Sequence, residues 1–290
     1  MASLSEKKVV IVTGATGFIG QHLIPILVKR GFKVIAIARD RKKAESFSWF
    51  KEVKFLSSDI AEELNQIKID QGMSLIHLAW DGLSDYRSSI HIEYNLPKSF
   101  NLIKSLVKRG VSQVLVTGTC FEYGFQNGPI PSSAKTSPNN PYATAKDILR
   151  KQLESLTEEK FYCLQWSRLF YMYGKGQSPN SLLSQLDIAI KNGECKFNMS
   201  GGEQLRDYLP IEDIVEQLAD LHESSRCGTY NICSGKPISV RRLVEKRVKE
   251  SGSNIKLNLG YYPYPDYEPM EFWGIRDFME KKYGNIFYVE

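Results

Sequence analysis

A tyrosine followed four residues later by a lysine is the pairing in this chain with the clearest chemical use. On a helix, residues i and i+4 share a face, so an ammonium can stand beside a phenol. The positive charge lowers the phenol's pKa from about 10 and lets it exchange a proton near neutrality. The spacing occurs three times, at Tyr94/Lys98, Tyr142/Lys146 and Tyr171/Lys175. Pro97 interrupts the first pair, and Gly174 breaks the third, which reads as loop. Tyr142/Lys146 opens a helical segment running to about Glu158 and follows a strand whose end carries the Thr119 hydroxyl. In a parallel sheet, strand ends and the starts of the following helices line one cleft. Thr119, Tyr142 and Lys146 are therefore expected to converge there.

Such a trio needs a redox partner, and the N-terminal stretch supplies a site for one. The apolar run Val9-Val10-Ile11-Val12 leads into Thr13-Gly14-Ala15-Thr16-Gly17-Phe18-Ile19-Gly20. An apolar-periodic segment from Ile19 to Arg30 follows, and Gly31 stops it. Strand, glycine turn and helix in that order are the signature of a dinucleotide site. Gly14 allows the tight turn, Gly17 lets the backbone approach a pyrophosphate, and Gly20 lets the helix pack flat on the sheet. The helix N-terminus then offers free N–H groups and a partial positive charge to the phosphates. The spacing is GxxGxxG, not the simpler GxGxxG. The bland reading of these glycines alone is a tight strand-to-helix turn.

The second strand, Lys33 to Ala38, ends where a carboxylate commonly bonds the adenosine ribose and selects NAD. Here the end is Ala38, followed by Arg39-Asp40-Arg41-Lys42-Lys43. A guanidinium suits a ribose 2′-phosphate, and the missing carboxylate removes a repulsion. NADP(H) is thus expected over NAD(H), although Asp40 stands close enough to turn toward the ribose.

The remaining segments keep the same rhythm. Val53 to Leu56 reads as a third strand, ending in Ser57-Ser58-Asp59-Ile60 with Asp59 as the N-cap of a helix. Leu75 to Ala79 is a fourth strand, ending in Trp80-Asp81-Gly82, and His77 within it reads as a histidine at the edge of the core. A helical pattern broken at Pro97 covers roughly 86–109, a fifth strand runs from Val111 to Thr117, and a sixth from Phe161 to Arg168. Strands alternating with helices predict an α/β fold with a doubly wound parallel sheet. After Tyr173-Gly174 the segments turn irregular and aromatic. Residues 1–173 are therefore assigned to the dinucleotide domain, with 207–233 returning to it. Residues 174–206 and 234–290 are assigned to a smaller C-terminal substrate-binding lobe. The segment 261–269 sets prolines among aromatic residues and is expected to be an ordered, non-helical wrap.

Composition narrows the partners. The 290 residues are 42% hydrophobic and carry 38 basic and 33 acidic side chains, interleaved, for a net charge of +5. No basic stripe of the nucleic-acid-binding kind is present, and an anionic small molecule suffices to explain the bias. No apolar run approaches the ~18 residues of a membrane span. The five cysteines, Cys120, Cys163, Cys195, Cys227 and Cys233, are odd in number and lack CxxC spacing. They read as reduced thiols in a cytoplasmic protein, without a disulfide framework or a metal site. The opening residues lack the apolar core of a signal peptide.

Taken together, the chain resembles the extended short-chain dehydrogenases/reductases, in the branch of NAD(P)-dependent nucleotide-sugar epimerases, dehydratases and reductases. The resemblance covers nearly the whole length. It rests on Thr13 to Gly20, Asp59-Ile60, His77-Leu78-Ala79, Thr119 with Tyr123-Gly124, Tyr142xxxLys146, Arg168 to Gly174, and Arg206-Asp207-Tyr208. It implies a Rossmann domain that holds the cofactor through Gly14, Thr16, Gly17, Phe18, Ile19, Arg39, Asp59, Ile60, Leu78, Ala79 and Trp80, with Tyr142 and Lys146. It makes Tyr142 the general acid or base, Lys146 the residue that holds the ribose and lowers the phenol's pKa, and Thr119 the partner of the reacting oxygen. Thr119, Tyr171 and Arg206 would meet the substrate, Arg206 through its diphosphate, with a salt bridge to Asp207 or Glu212 as the alternative for that guanidinium. By analogy with the family, the helices near 86–109 and 142–158 would form a homodimer bundle.

Two departures from the family pattern bear on the reaction. Tyr171 stands where an asparagine is usual. Cys120-Phe121 stands where nucleotide-sugar 4,6-dehydratases carry an Asp-Glu pair, so the extra acid and base that dehydration requires are missing. The reading is an NADPH-dependent reductase of a 4-keto, 6-deoxy nucleotide sugar. The alternatives are an NAD-dependent 4-epimerase, a reductase of small carbonyl compounds, and a catalytically silent NADP-sensing protein, the last disfavoured by the retained Tyr/Lys pair.

Overall fold

The computed structural model describes residues 8–62, 64–70, 72–224, 226–264 and 269–276. Residues 1–7, 265–268 of the proline-aromatic segment, and 277–290 of the expected lobe lie outside the described residues. In chain order the first elements are β1 (Val9–Thr13), α1 (Gly20–Lys29), β2 (Lys33–Ala38), α2 (Arg41–Glu45), β3 (Lys54–Ser57), β4 (Ser74–His77) and α3 (Leu96–Lys108). Then come β5 (Gln113–Thr119), β6 (Gly128–Ile130), α4 (Pro141–Glu159), β7 (Cys163–Leu169), β8 (Tyr171–Tyr173), α5 (Leu182–Lys191), β9 (Lys196–Asn198), β10 (Leu205–Arg206) and β11 (Tyr208–Pro210). The remainder are α6 (Ile211–Ser224), β12 (Gly228–Ile232), β13 (Ile238–Ser239), α7 (Val240–Ser251), β14 (Lys256–Asn258) and β15 (Glu271–Gly274).

Seven strands form one parallel sheet in the order β12-β7-β5-β4-β1-β2-β3. The chain winds outward from β1 in both directions, so a topological switch point lies between β1 and β4. This is the doubly wound Rossmann fold expected from the sequence. The alternation of side chains along the strands builds its two layers. Val10 and Val12 pack with Leu23 and Leu27 of α1 and Leu218 of α6. Ile11 between them packs on the other face with Leu102 and Ile103 of α3 and Leu149 and Leu153 of α4. Both faces are covered, which is why the strands read as continuous apolar runs. Burying each such side chain contributes about 1.5–3 kcal/mol.

A second, smaller core gathers Leu183 and Leu186 of α5, Phe197 of β9, and Leu243 and Val244 of α7. A four-stranded sheet in the order β13-β10-β15-β6 and the pairs β11-β8 and β14-β9 complete the framework.

Three expectations are corrected. No helix follows Asp59 among the described residues: its Oδ1 accepts from the Ala61 amide at 2.8 Å and closes a local turn instead. The helix placed from residue 86 begins at His91, as a π-helical turn (His91–Asn95) that runs into α3. Pro97 stands near the start of α3, directly after that wider turn. Finally, Cys163 and Cys227 are paired as a disulfide, leaving Cys120, Cys195 and Cys233 free. The two are 64 residues apart in the chain. They come together because β7 and β12 are neighbouring parallel strands, a proximity invisible to CxxC spacing.

The glycine turn is packed without slack. A Cβ on Gly20 would stand 2.4 Å from the Gly14 carbonyl oxygen and 2.7 Å from that of Ala15. Gly20→Ala is expected to destabilise the fold by about 1–3 kcal/mol, read as a fall in the urea midpoint with an unchanged slope.

Candidate active site

One cleft of about 670 Å³ runs over the C-terminal ends of the strands, from the glycine turn to the aromatic residues of β8 and β11. Gly14, Thr16, Gly17, Phe18, Ile19, Arg39, Asp59, Ile60, Leu78, Ala79, Trp80, Thr119, Tyr142, Lys146 and Tyr171 all line it. Arg206 does not. Its guanidinium donates to the Leu205 carbonyl at 2.9 Å and lies 5.7 Å over the Tyr171 ring. Asp207 accepts from the Ser234 and Gly235 amides at 2.7 and 2.9 Å.

The turn itself fits a dinucleotide. Gly14 has φ 70°, a conformation that favours glycine, and a Cβ there would stand 2.7 Å from the Ala79 amide nitrogen. The β1 and β4 loops thus meet closely enough that only backbone forms the floor. α1 begins directly behind it, and Gly17, Phe18, Ile19 and Gly20 at its start line the cleft.

The residues of the reactive pair take up different positions. Asn140 caps α4 by accepting from the Ala143 amide at 2.9 Å, and Pro141 occupies the first turn, which sets Tyr142 at the helix entrance. The Tyr142 phenol lies near the Thr119 side chain, which favours its ionised form, and both line the cleft. Its ring is stacked on Tyr86, with centroids 5.0 Å apart, and meets Trp80 and His91 at 6.1 and 5.3 Å. The Tyr142 amide donates to the Tyr86 carbonyl at 3.1 Å, so loop and helix entrance are tied together. Lys146 runs inward: its Nζ donates to the Thr117 carbonyl at 2.8 Å and lies 3.8 Å over the Trp80 ring.

This corrects the expected pKa of the phenol. Burial pushes Tyr142 above its ordinary value, the neighbouring Tyr86 adds to the rise, and the Thr119 side chain works against it. The ammonium that was to lower it is anchored on β5 and Trp80. Lys146 is itself brought down to about 7 by burial, with the Glu122 carboxylate opposing. His77 is fully buried, bonds Thr13 Oγ1 through Nδ1 at 2.9 Å, and is held down to about 3 by burial and by Lys146 and Lys98.

A residue absent from the sequence reading organises the strand end. Glu122 is fully buried and accepts from the Thr119 amide at 2.9 Å, Trp166 Nε1 at 3.0 Å and Arg168 Nε at 2.7 Å. Its carboxylate is thus fully engaged and is no spare acid for the cleft. The signal that could have found it is the Thr-x-x-Glu spacing of a capping box. Lys98 and Asp81 were also missed as cleft residues. Lys98 Nζ lies 2.6 Å from Asp59 and 3.2 Å from the Tyr94 hydroxyl. Although burial works to lower it, these contacts hold Lys98 above its ordinary value.

The fold and the placement of these groups make the chain an NAD(P)-dependent enzyme of CH–OH/C=O chemistry, in the extended short-chain dehydrogenase/reductase class. It belongs to the NAD dependent epimerase/dehydratase family, whose sequence signature matches residues 10–233. It is 32% identical over 273 residues to the dTDP-6-deoxy-L-talose 4-dehydrogenase (NAD(+)) of Aggregatibacter actinomycetemcomitans, covering 92% of this chain and 99% of that protein. Among solved structures it is similar to a UDP-N-acetylglucosamine 4-epimerase from Methanobrevibacter ruminantium M1 in complex with UDP-N-acetylmuramic acid. The TM-score there is 0.82 at 25% identity, covering 93% of this chain and 90% of that one. It is also similar to MoeE5 in complex with UDP-glucuronic acid and NAD, with a TM-score of 0.76 at 26% identity, covering 92% and 90%. Among the described residues, no helix is long and apolar enough to cross a membrane.

Burial of Lys146 gives a pH signature. With its native pKa near 7 and an unfolded value of about 10.4, the unfolded chain binds the extra proton between those values, and wild-type stability rises with pH across that window. Lys146→Met removes the buried charge. Its stability relative to wild type is expected to be highest below pH 7 and to shrink toward pH 10, read from urea midpoints at pH 6 and pH 9.5.

Proposed function

We propose that the chain is an NADPH-dependent reductase of a 4-keto nucleotide sugar, with 6-deoxy sugars as the substrate class. The observation that carries this reading is the gathering of Thr119, Tyr142 and Lys146 in the same cleft as the glycine turn. When bound, the nicotinamide supplies a hydride to the keto carbon. Tyr142 then gives its phenolic proton to the alkoxide oxygen left on that carbon, and solvent restores the proton. Burial keeps the phenol protonated at neutral pH, so it enters the reaction as an acid. Thr119 holds the reacting oxygen alongside it. Lys146, fixed between Thr117 and Trp80, binds the cofactor ribose. Tyr171 faces the substrate side, and Arg206, outside the cleft lining, backs its ring as a cation.

Several observations support the finer choices. Asp40, the acid nearest the end of β2 in the chain, caps α2 by accepting from the Lys43 amide at 2.9 Å. Arg39 and Lys43 line the cleft beyond Ala38, an arrangement suited to a 2′-phosphate. Cys120 and Phe121 offer no second acid–base pair, and Glu122 is engaged, which disfavours dehydration. The Aggregatibacter relative is named for dehydrogenation at C4 of a dTDP-linked 6-deoxy sugar with NAD(+). The reverse sense of such a reaction is the one proposed here. A second reading, 4-epimerisation on retained NAD, draws on the likeness to the UDP-N-acetylglucosamine 4-epimerase.

The proposal takes residues 174–206 with 234–290 as the substrate lobe, supported by the separate core around Leu186 and Val244. It includes a homodimer through α3 and α4, supported by exposed Ile92 and Tyr94 at the start of that surface. It sets the enzyme in the cytoplasm, where dinucleotide and sugar nucleotide are dissolved together.

Incubation with NADPH and a panel of 4-keto sugar nucleotides is expected to consume NADPH and yield the reduced sugar. In a parallel incubation with 4-hydroxy sugar nucleotides, inversion at C4 with no net cofactor consumption would establish the epimerase instead. Tyr142→Phe is expected to keep the fold and cofactor binding and to lose about 10²–10⁴ in turnover, measured by NADPH absorbance. Near-wild-type turnover would place the proton donor elsewhere.

A further inference from the structure

Arg39 and Asp81 make contact across the glycine turn. Arg39 follows β2 and Asp81 lies just beyond β4, and these two strands flank β1. The guanidinium grips both carboxylate oxygens, Nη2 to Oδ1 at 2.7 Å and Nη1 to Oδ2 at 3.3 Å. A second acid, Asp59, stands 3.7 Å from Arg39 but is taken by Lys98 at 2.6 Å. All four side chains line the cleft.

The two cations differ in what can be exchanged. The Lys98 side chain is 5% exposed, and its contact with Asp59 is shielded; that of Arg39 is 64% exposed. A pair as open as Arg39–Asp81 contributes about 0–1 kcal/mol, so another anion can take the guanidinium at little cost. With Ala38 at the strand end and Asp40 engaged in capping α2, Arg39 is the strand-end cation available to a phosphate on the ribose. Asp81 is the group that holds it.

We propose that Asp81 is a specificity-determining residue, a carboxylate that competes with the adenosine 2′-phosphate for the Arg39 guanidinium and so sets the balance between NADP(H) and NAD(H). The inference rests on the NADP(H) reading above. A ribose 2′-hydroxyl carries no charge and does not displace a carboxylate from a guanidinium, so NAD(H) leaves the pair in place. NADP(H) must break it. The pair therefore opposes one dinucleotide and not the other. The Asp81 backbone is held independently of its carboxylate: its amide donates to Asn95 Oδ1 at 3.3 Å, and its carbonyl accepts from Asn95 Nδ2 at 2.9 Å. Removing the charge thus leaves the loop anchored.

The test is direct binding of NADPH and of NADH, by fluorescence titration, to wild type, Asp81→Asn, Arg39→Ala and the double variant. Asp81→Asn is expected to tighten NADPH about two- to fivefold, the range of an exposed ion pair, and to leave NADH unchanged. In the Arg39→Ala background the same substitution is expected to change neither. Equal tightening of both dinucleotides, or an effect that persists without Arg39, would overturn the proposal, since either would mean a general relief of negative charge. If Arg39→Ala alone leaves the NADPH/NADH ratio as in wild type, the NADP(H) reading fails and this inference with it. If Arg39→Ala lowers the ratio but Asp81→Asn does not raise it, the rival role fails alone. Asp81→Ser, which also removes the charge, repeats the measurement should the asparagine variant not fold.

Discussion

A single buried carboxylate fixes the geometry of the reactive end of the cleft. Glu122 sits where three donors converge: the Thr119 amide, the Trp166 indole and the Arg168 guanidinium. Burial pushes its pKa up, while Arg168, first among its partners, pulls it back toward the charged form. The pair draws three segments together, because Arg168 belongs to β7, Thr119 ends β5, and the same guanidinium donates to the Ser132 carbonyl at 3.0 Å. Losing one member of such a pair would leave the other charge buried and uncompensated, a cost of about 3–5 kcal/mol. The threonine hydroxyl is therefore placed by a charge interaction several residues removed from any reacting atom. Gly118 fits the same scheme, for a Cβ there would fall 2.3 Å from the Trp166 indole nitrogen and 2.4 Å from Glu122 Oε1.

The cleft has two ends of different character. Around the glycine turn the floor is backbone, closed so tightly at Gly14 that no side chain could be added there, and charged side chains such as Arg39 and Asp81 line the cleft beside it. This suits a ligand whose pyrophosphate is the same in every turnover. At the other end the walls are aromatic: Tyr86, Phe121, Tyr171 and Tyr208, with Phe121 meeting Tyr86 at 5.4 Å and Tyr171 at 6.1 Å. Three of these, Tyr86, Phe121 and Tyr171, also border an adjoining cavity of about 480 Å³. Rings with two rotatable bonds make a surface that can be reshaped by single substitutions without disturbing the sheet beneath. A family that varies its sugar and keeps its cofactor has reason to be built this way.

What the sequence made legible was whatever lies close along the chain. The run from Val9 to Gly20, the helix opening at Tyr142 and the Tyr142/Lys146 spacing are each encoded within a few residues, and the sheet follows from the repeated strand-helix alternation. What it hid depends on sheet order. Cys163 and Cys227 are distant in sequence and meet because β12 is placed beside β7. Arg39 meets Asp81 because β2 and β4 lie on either side of β1. Lys98 was set aside because Pro97 precedes it, yet the π-helical turn ahead of α3 lets the chain pass through that proline and delivers the ammonium to Asp59. The shared helical face of Tyr142 and Lys146 was read correctly as spacing and incorrectly as contact. One side chain turns to the strand-end hydroxyl and the other reaches the strand's carbonyls.

That divergence bears on how such a site could run in either direction. A phenol raised by burial holds its proton and serves a reduction, whereas an oxidation needs the phenolate as base. What lowers a buried phenol is a nearby positive charge, and the ammonium best placed to supply one is Lys146, which burial has already brought to about 7. Near neutrality this lysine is divided between charged and neutral forms, so the field at the cleft changes with its protonation. The balance between accepting and donating a proton at Tyr142 is then set less by the phenol than by the lysine's surroundings, namely the Thr117 carbonyl, the Trp80 ring and the Glu122 carboxylate. On the reading proposed above, the pH at which Tyr142 acts as acid or as base would in that sense be a property of the end of β5, where the same buried carboxylate holds the threonine and opposes the desolvation of the lysine.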